Sequence, residues 1–368
     1  MNSLRDICDY VVTRTNIIEN YISTENMLPN KGGVCDTLKV PSGGIGTKYQ
    51  VGDILISNIR PYFKKIWQAD CEGACSTDVL CLRANENVDS RFLYYLLTQQ
   101  SFFDYVMSGT KGCKMPRGDK QQIMQWHIHL PSLVEQKKIA GVLSTLDAKI
   151  QLNRRINDNL EQQTQALYKS WFIDFEPFKD GKFIDSELGL IPEGWRVGEL
   201  SEFTNITSGK RPSTKSDYPT SRDKVPVFGA SGIMAYTTDK LYDIPILIIG
   251  RVGTLGIVQK IDDESWPSDN TLVILSKNYH FVYFNLKSID YQAINRGSTQ
   301  PLITQSDIKQ QMILIPQDEV LMKFEENANS LDKAIKNNDK AIKRLTLLRD
   351  TLLPKLMSGE LKINDLDC

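Results

Sequence analysis

The sequence predicts an α+β fold built twice over, two mixed α/β regions that each run into a long amphipathic helix. Three observations carry that expectation: an internal repeat, short apolar runs of strand length, and two matched heptad patterns. The repeat comes first, because missing it would misjudge everything else. Ile54-Leu55-Ile56-Ser57 matches Ile246-Leu247-Ile248-Ile249, Ile66 matches Val258, and Ser76-Thr77-Asp78-Val79-Leu80 matches Ser268-Asp269-Asn270-Thr271-Leu272, all 192 positions apart. Further on the offset becomes 185: Gly112 with Gly297, Pro116 with Pro301, Ile123 with Ile308, and Ile128-His129-Leu130-Pro131 with Ile313-Leu314-Ile315-Pro316. A seven-residue difference within 81–111 reconciles the two offsets.

Each half then reads as a strand-rich region, a proline and a long helix. Residues 51–57, 79–82, 244–249 and 271–275 are apolar runs of strand length and predict buried strands. Residues 91–105 predict one short amphipathic helix with Phe92, Tyr95, Leu96 and Phe103 on its faces. Pro131 cannot continue a helix from upstream, and Ser132 with Glu135 forms a capping box, so a helix starts there. Inside it Ile139, Leu143, Leu146, Ile150, Asn153, Asn157, Leu160, Thr164, Leu167 and Trp171 alternate spacings of four and three. That is a heptad seam with a polar middle. Adding 185 gives Phe324, Ala328, Leu331, Ile335, Asn338, Ile342, Leu345, Arg349, Leu352 and Leu356, the same seam again, with Asn338 equivalent to Asn153. Such helices could each pack only on their own domain. Seams this narrow, long and matched favour packing on each other. Roughly forty residues at about 1.5 Å each make about 60 Å of helix, which exceeds one turn of DNA, about 34–36 Å.

Composition and motifs remove several classes. Hydrophobic residues at 41% and charged residues at 24% fit a folded, soluble chain. No apolar run is long enough to span a bilayer, and the N-terminus has no secretory core. Six of the seven cysteines precede residue 114, which reads as reduced cytosolic thiols. There is no phosphate-binding P-loop, and Gly250-Arg251-Val252-Gly253-Thr254-Leu255-Gly256 has turn spacing and not dinucleotide-binding spacing. No Pro-Pro pair exists to build the motif with which amino-methyltransferases grip a flipped adenine. His127 and His129 alternate on a strand-like run, and His280 is the only other histidine. Cys71, Cys75 and Cys81 lack a second pair at zinc spacing. Glu135-Gln136-Lys137 has the outline of a nuclease core but opens a helix. No catalytic residue, cofactor or metal is expected.

The net charge is −1, so any nucleic acid must be held by local basic patches. Two such patches stand out. Lys111, Lys114, Arg117 and Lys120 face one acid, Asp119, and Lys210, Arg211, Lys215, Arg222 and Lys224 face Asp217 and Asp223. Both runs are rich in Gly, Ser, Thr and Pro, the composition of loops, and basic loops on a firm scaffold reach phosphates and base edges. The candidate DNA-contacting set is Lys48, Arg60, Lys64, Lys111, Lys114 and Arg117 in the first half and Lys210, Arg211, Lys215, Arg222, Arg251 and Arg296 in the second.

Gly189-Leu190-Ile191-Pro192-Glu193-Gly194-Trp195-Arg196-Val197-Gly198-Glu199-Leu200 resembles the domain opening of the specificity subunits of type I restriction-modification systems. So does the run Leu347-Leu348-Arg349-Asp350-Thr351-Leu352-Leu353-Pro354-Lys355-Leu356-Met357-Ser358-Gly359-Glu360-Leu361. Pro131 leading into Glu135-Gln136-Lys137-Lys138-Ile139-Ala140 and Leu146-Asp147 is similar to the start of that family's central helix. The resemblance implies two α/β target-recognition domains in a pseudo-twofold arrangement, joined by two long antiparallel coiled-coil helices. It places the first domain at 1–131, the central helix and linker at 132–182, the second domain at 183–316, and the C-terminal helix and tail at 317–368. It further implies a cytoplasmic, non-catalytic subunit that reads a bipartite site in double-stranded DNA. Two adenine-N6 methyltransferase subunits and the restriction/translocase subunits would dock on it. Two features depart from the pattern. The first half begins near Leu4-Arg5-Asp6-Ile7 without the Pro-x-Gly-Trp opening, and the second helix lacks the capping box. A coiled-coil scaffold with no DNA role is the alternative, and it explains only the helices.

Overall fold

The computed structural model describes residues 2–16, 19–35, 45–110, 112 and 114–363. The chain divides into two compact units, Met1–Arg154 with Asp339–Cys368, and Arg155–Asn338. Each unit contains one mixed α/β body and part of each of two long helices, Leu133–Phe172 and Asp318–Ser358.

In the first unit a four-stranded antiparallel sheet runs in the order Cys8–Tyr10, Val79–Ala84, Ile54–Ser57, Ile66–Gln68. Side chains alternate across a strand, and here both faces are covered. Ile54, Ile56, Leu80 and Leu82 pack against Phe92, Leu93 and Leu96 on one side, while Leu55, Val79 and Cys81 pack with Tyr49 and Met27 on the other. That is why the strands read as continuous apolar runs and not as alternating ones. A smaller sheet of Arg14–Thr15, Gly46–Tyr49 and Gly73–Cys75 accompanies the second face.

The second unit repeats the order with Asn205–Ser208, Thr271–Leu275, Ile246–Gly250 and Val258–Ile261. Its Leu247, Ile249, Leu272 and Ile274 face a cluster holding Phe281 and Phe324, and Ile246, Ile248 and Val273 form a separate cluster behind. The smaller sheets differ. Val225–Gly229 takes Trp266–Pro267 as a parallel neighbour, whereas Gly46–Tyr49 takes Gly73–Cys75 antiparallel.

The repeat extends to the first residues described. Asn2 pairs with Ile128 as Gly198 pairs with Ile313, and the Leu4 N–H donates to Trp126 as the Leu200 N–H donates to Gln311. The first half therefore opens on an equivalent strand despite lacking the glycine-tryptophan motif.

Three expectations shift at their edges. The strands expected from 51 and 244 begin at Ile54 and Ile246, because Val51 (61% exposed) precedes a turn at Gly52 with φ +91° and Ile244 (48% exposed) precedes Pro245. The helix expected over 91–105 is two, Ser90–Leu97 and Gln100–Ser108. Thr98 Oγ1 donates to the Tyr95 carbonyl and Gln99 Nε2 to the Leu96 carbonyl, satisfying helix-end acceptors that a continuing backbone would otherwise take. His127 and His129 are exposed, but the strand there is only His127–Ile128.

Both long helices form. Ser132 Oγ and N–H donate to Glu135, and the Glu135 N–H donates back to Ser132 Oγ, which is the capping box read from the sequence. None of the seam positions is exposed. In the first unit Ile139, Ala140 and Leu143 share a cluster with Leu353, Leu356 and Met357, and also with Leu4, Phe102 and Ile128 of the α/β body. In the second, Tyr168 and Phe172 pack on Phe324 and Phe281. The helices pack on each other and on their domains together. Arg349 Nη1 donates to Asp147 at 2.7 Å, and Asn338 Nδ2 donates to Asn157 Oδ1 at 2.9 Å, so residues rising along one helix meet residues falling along the other. Asn338 thus meets Asn157, one turn beyond its sequence equivalent Asn153, as antiparallel packing requires.

Glu325 on the second long helix accepts the N–H groups of His280 and Phe281, orphan donors at the start of helix Tyr279–Ser288. Burial, with Lys260 nearby, pushes the His280 imidazole down to about 4. An unfolded chain protonates this ring near 6.5, so below that pH the unfolded state gains protons first and the fold loses stability until about pH 4. The loss should reach about 3 kcal/mol. Burial pushes the Glu325 carboxyl up, which gives the opposite slope above its ordinary range, so the difference between wild type and His280→Gln isolates the histidine. Urea unfolding of both from pH 7 to pH 4 should show wild type falling relative to the variant.

Candidate nucleic-acid interface

At one end of each four-stranded sheet the chain is pinned the same way twice. In the first unit the Asn58 N–H donates to the Asp78 carbonyl (2.9 Å), the Asn58 carbonyl accepts from Gly118 (3.3 Å), and the Arg60 N–H donates to Pro116 (2.8 Å). In the second, the Arg251 N–H donates to Asn270 (2.9 Å), the Arg251 carbonyl accepts from Ile303 (2.9 Å), and the Gly253 N–H donates to Pro301 (3.0 Å). Bridges Ile59 to Arg117 and Val252 to Leu302 complete the match. The proline loops aligned from sequence therefore hold the connection that leaves each central strand. In the second unit another segment joins them: the Gly209 N–H donates to Thr271, the Lys210 N–H to Pro267, and Trp266 Nε1 to the Lys210 carbonyl at 2.7 Å. A Cβ on Gly209 would lie 2.1 Å from the Ser268 carbonyl, so only glycine lets the chains approach this closely.

The candidate cations sort by this geometry. Arg60, Lys114 and Arg117 gather at the first pinned loop, and Lys210, Arg211 and Arg251 at the second. Lys64 closes the one-turn helix after Arg60, with its backbone at φ +51°. Lys48 is exposed but stands on strand Gly46–Tyr49 of the smaller sheet. Lys215 and Arg222 are exposed in a loop that meets strand Gly232–Thr237 through a bridge from Ser216 to Tyr236. Lys111 lies outside the described residues. Arg117 (58% exposed) reaches Asp78 at 3.2 Å, and Arg211 (85% exposed) reaches Asp269 at 3.4 Å, the same turn of each repeat. Exposed pairs of this kind contribute about 0–1 kcal/mol, so a phosphate can displace the carboxylate. Arg296 is engaged more firmly, donating through Nε and Nη2 to Asp307, which is itself nearly buried and holds the cap of helix Gln305–Lys309. The remaining described candidates make no ion pair among the described residues.

Aromatic side chains, which a count of charges does not reveal, stand among these cations. Tyr62 and Phe63 form a ring pair with centroids 4.6 Å apart on the loop after Arg60, and Tyr218 (78% exposed) stands between Lys215 and Arg222. Rings among cations are a surface on which an unpaired base would stack. The signal was present in Arg60-Pro61-Tyr62-Phe63-Lys64-Lys65, an apolar pair that no core strand claims. Cys75 and Cys81, weighed as metal ligands, are buried between the sheets of the first unit, and no group of three or more His, Cys, Asp or Glu is placed for a metal among the described residues. No helix of the described residues is long and apolar enough to cross a membrane.

A duplicated α/β scaffold that offers one pinned basic loop per copy, with paired helices running through both copies, is the architecture of a two-part recognition protein. Residues 8–162 and 192–345 match the family described as Type I restriction modification DNA specificity domain, and the chain belongs to that family. Its part in such a system is DNA specificity. The chain is 31% identical to the type I restriction enzyme MjaIX specificity subunit of Methanocaldococcus jannaschii, over 76% of this chain and 71% of that protein. It is 24% identical to the HindI specificity subunit of Haemophilus influenzae, over 93% and 94%. The crystal structure of the type I restriction-modification S subunit from M. genitalium shares the fold, with a TM-score of 0.57 and 15% identity across 97% of this chain and 95% of that one.

Each pinned loop should lose phosphate contacts on truncation. Replacing Lys114 and Arg117, or Lys210 and Arg211, by Ala should lower the slope of log affinity against log salt by ~1.8, two phosphates at about 0.9 each. Fluorescence anisotropy on duplex DNA from 50 to 300 mM salt measures it, and wild-type slopes in both variants would show these loops to be solvated surface.

Proposed function

We propose that this chain reads a bipartite site in double-stranded DNA, each unit recognising one half, and that it brings methyltransferase and restriction subunits to that site in the cytosol. The observation that carries this reading is the double pinning of the basic loops, one scaffold used twice with different side chains at the tip. In this reading 1–131 and 183–316 are the target-recognition domains, and 132–182 and 317–368 are the helices with their linker and tail. Two copies of an adenine-N6 methyltransferase and the translocating nuclease supply the chemistry for which the sequence holds no motif. Leu152, Leu347 and Leu348, exposed apolar residues on the long helices within the first unit, support a docking face there.

Two outcomes test the division of labour. The purified chain with S-adenosylmethionine and DNA should transfer no methyl groups above background, and adding the methyltransferase should restore transfer. Helix length should set the unread spacer between the half-sites. Leu160 and Ile335 lie opposite each other in the register marked by Asn157 with Asn338. Inserting one heptad after Leu160 and one immediately before Ile335 keeps every seam pair and lengthens the helices by about 10 Å, or about three base pairs at roughly 3.4 Å each. Methylome sequencing should return unchanged half-sites with a longer spacer. An active complex with the original spacer would refute the ruler.

A further inference from the structure

The arginines proposed to meet DNA are not alike. Arg117, Arg211 and Arg296 each pair with a carboxylate, and Arg222 is exposed in a loop. Arg60 and Arg251 differ from all of these. Each is half-buried, makes no ion pair among the described residues, and holds an Nε atom closed off from solvent with no acceptor among the described residues. Folded proteins seldom leave a buried donor without a partner. Several buried polar atoms lack a partner among the described residues, but the two arginine Nε atoms among them fall in the same pinned loop of both units.

Backbone conformation sharpens the contrast. Arg60 sits at φ +50°, in the left-handed region that side chains avoid. The equivalent position in the second unit, identified by the N–H that each donates to its loop proline, is Gly253 at φ +81°. Glycine is what this backbone favours, yet the first unit keeps an arginine there. The second unit has the glycine and supplies its guanidinium from Arg251, two residues earlier, where the backbone is held on both sides by Asn270 and Ile303. Strain kept at one such position, and the same group delivered by another route in its duplicate, indicate that the guanidinium itself is needed. A guanidinium is planar and rigid, so seating Nε fixes the direction of the terminal pair. A fork fixed in this way matches guanine O6 and N7 in the major groove, whereas a mobile lysine is enough for a phosphate.

The geometry points to Arg60 and Arg251 as base-reading residues, each taking a guanine in its own half-site while the other cations hold phosphates. This rests on the reading that each unit recognises half a site. The test selects the full chain, assembled with its methyltransferase, against a randomised duplex library. Wild type is compared with Arg60→Gly, Arg60→Lys, Arg251→Lys and Lys114→Ala, and thermal unfolding is recorded for each. Arg60→Gly relieves the strain, so its unfolding temperature should not fall, while preference for guanine at one position of one half-site should drop about 5- to 150-fold, the loss of one bidentate pair. Arg60→Lys keeps the charge and should lose the same preference. Arg251→Lys should relax a guanine in the other half-site only. Lys114→Ala should weaken all sequences alike and leave the motif intact. Arginine variants that bind every sequence more weakly but select the wild-type motif would overturn the assignment and leave half-site recognition standing. A destabilised Arg60→Gly with the motif intact would mark Arg60 as structural. A wild-type complex that selects no bipartite motif would overturn the underlying reading as well.

Discussion

The antiparallel register of the two long helices is the constraint on which both units depend. Neither α/β body closes its core without helix residues: Ile139, Leu143, Leu353 and Leu356 complete the first, and Tyr168, Phe172, Phe324 and Ala328 the second. Apolar contacts alone tolerate sliding, since leucine on leucine is nearly as good one heptad away. Polar groups do not. Asp147 accepts from both Arg349 and the Tyr95 hydroxyl, and Asn157 accepts from Asn338, so a slip would bury groups without partners. Such contacts add little net stability and a large penalty for misregister.

The duplicate shows how one position is satisfied in two ways. Asp332 is the equivalent of Asp147, 185 positions on, and Thr164 is the equivalent of Arg349. With no arginine opposite, Asp332 pairs instead with Lys336 and Lys260. Burial works against its charged form, and these two lysines outweigh burial and hold the carboxyl below its ordinary range. Lys260 also lies 4.5 Å from the centre of the Tyr283 ring, which ties the edge strand Val258–Ile261 to helix Tyr279–Ser288. The carboxylate is kept and its partners are exchanged.

Divergence between the copies is graded from one part of the fold to another. The four-stranded sheets, the ribbons at Asn2–Ser3 and Arg196–Glu199, and the long helices correspond strand for strand. The smaller sheets do not, one adding its third strand in parallel and the other antiparallel. The pinned loops lie between these regimes, with a common backbone and different side chains at the tip. A scaffold of this kind lets specificity change without disturbing the core, because the hydrogen bonds that hold the loop are made by the main chain.

Periodicity and apolar runs are local properties, and what depends on them was legible in the sequence: the duplication, the strands, the two helices, their seam and the capping box at Ser132. The resemblance of residues 189–200 and 347–361 supplied the family. Edges were less legible, since a turn at Gly52 or a hydroxyl at Thr98 competes with an element that propensity would extend. The opening strand of the first half was invisible because main-chain pairing with Ile128, not a side-chain motif, defines it. Least legible was which cations are free. Arg117 meets Asp78, and Arg296 meets Asp307, while Arg60 and Arg251 meet no carboxylate among the described residues. Charge is written in the sequence, but whether a charge is already neutralised depends on chain segments brought within 4 Å by folding, and only the tertiary structure decides that.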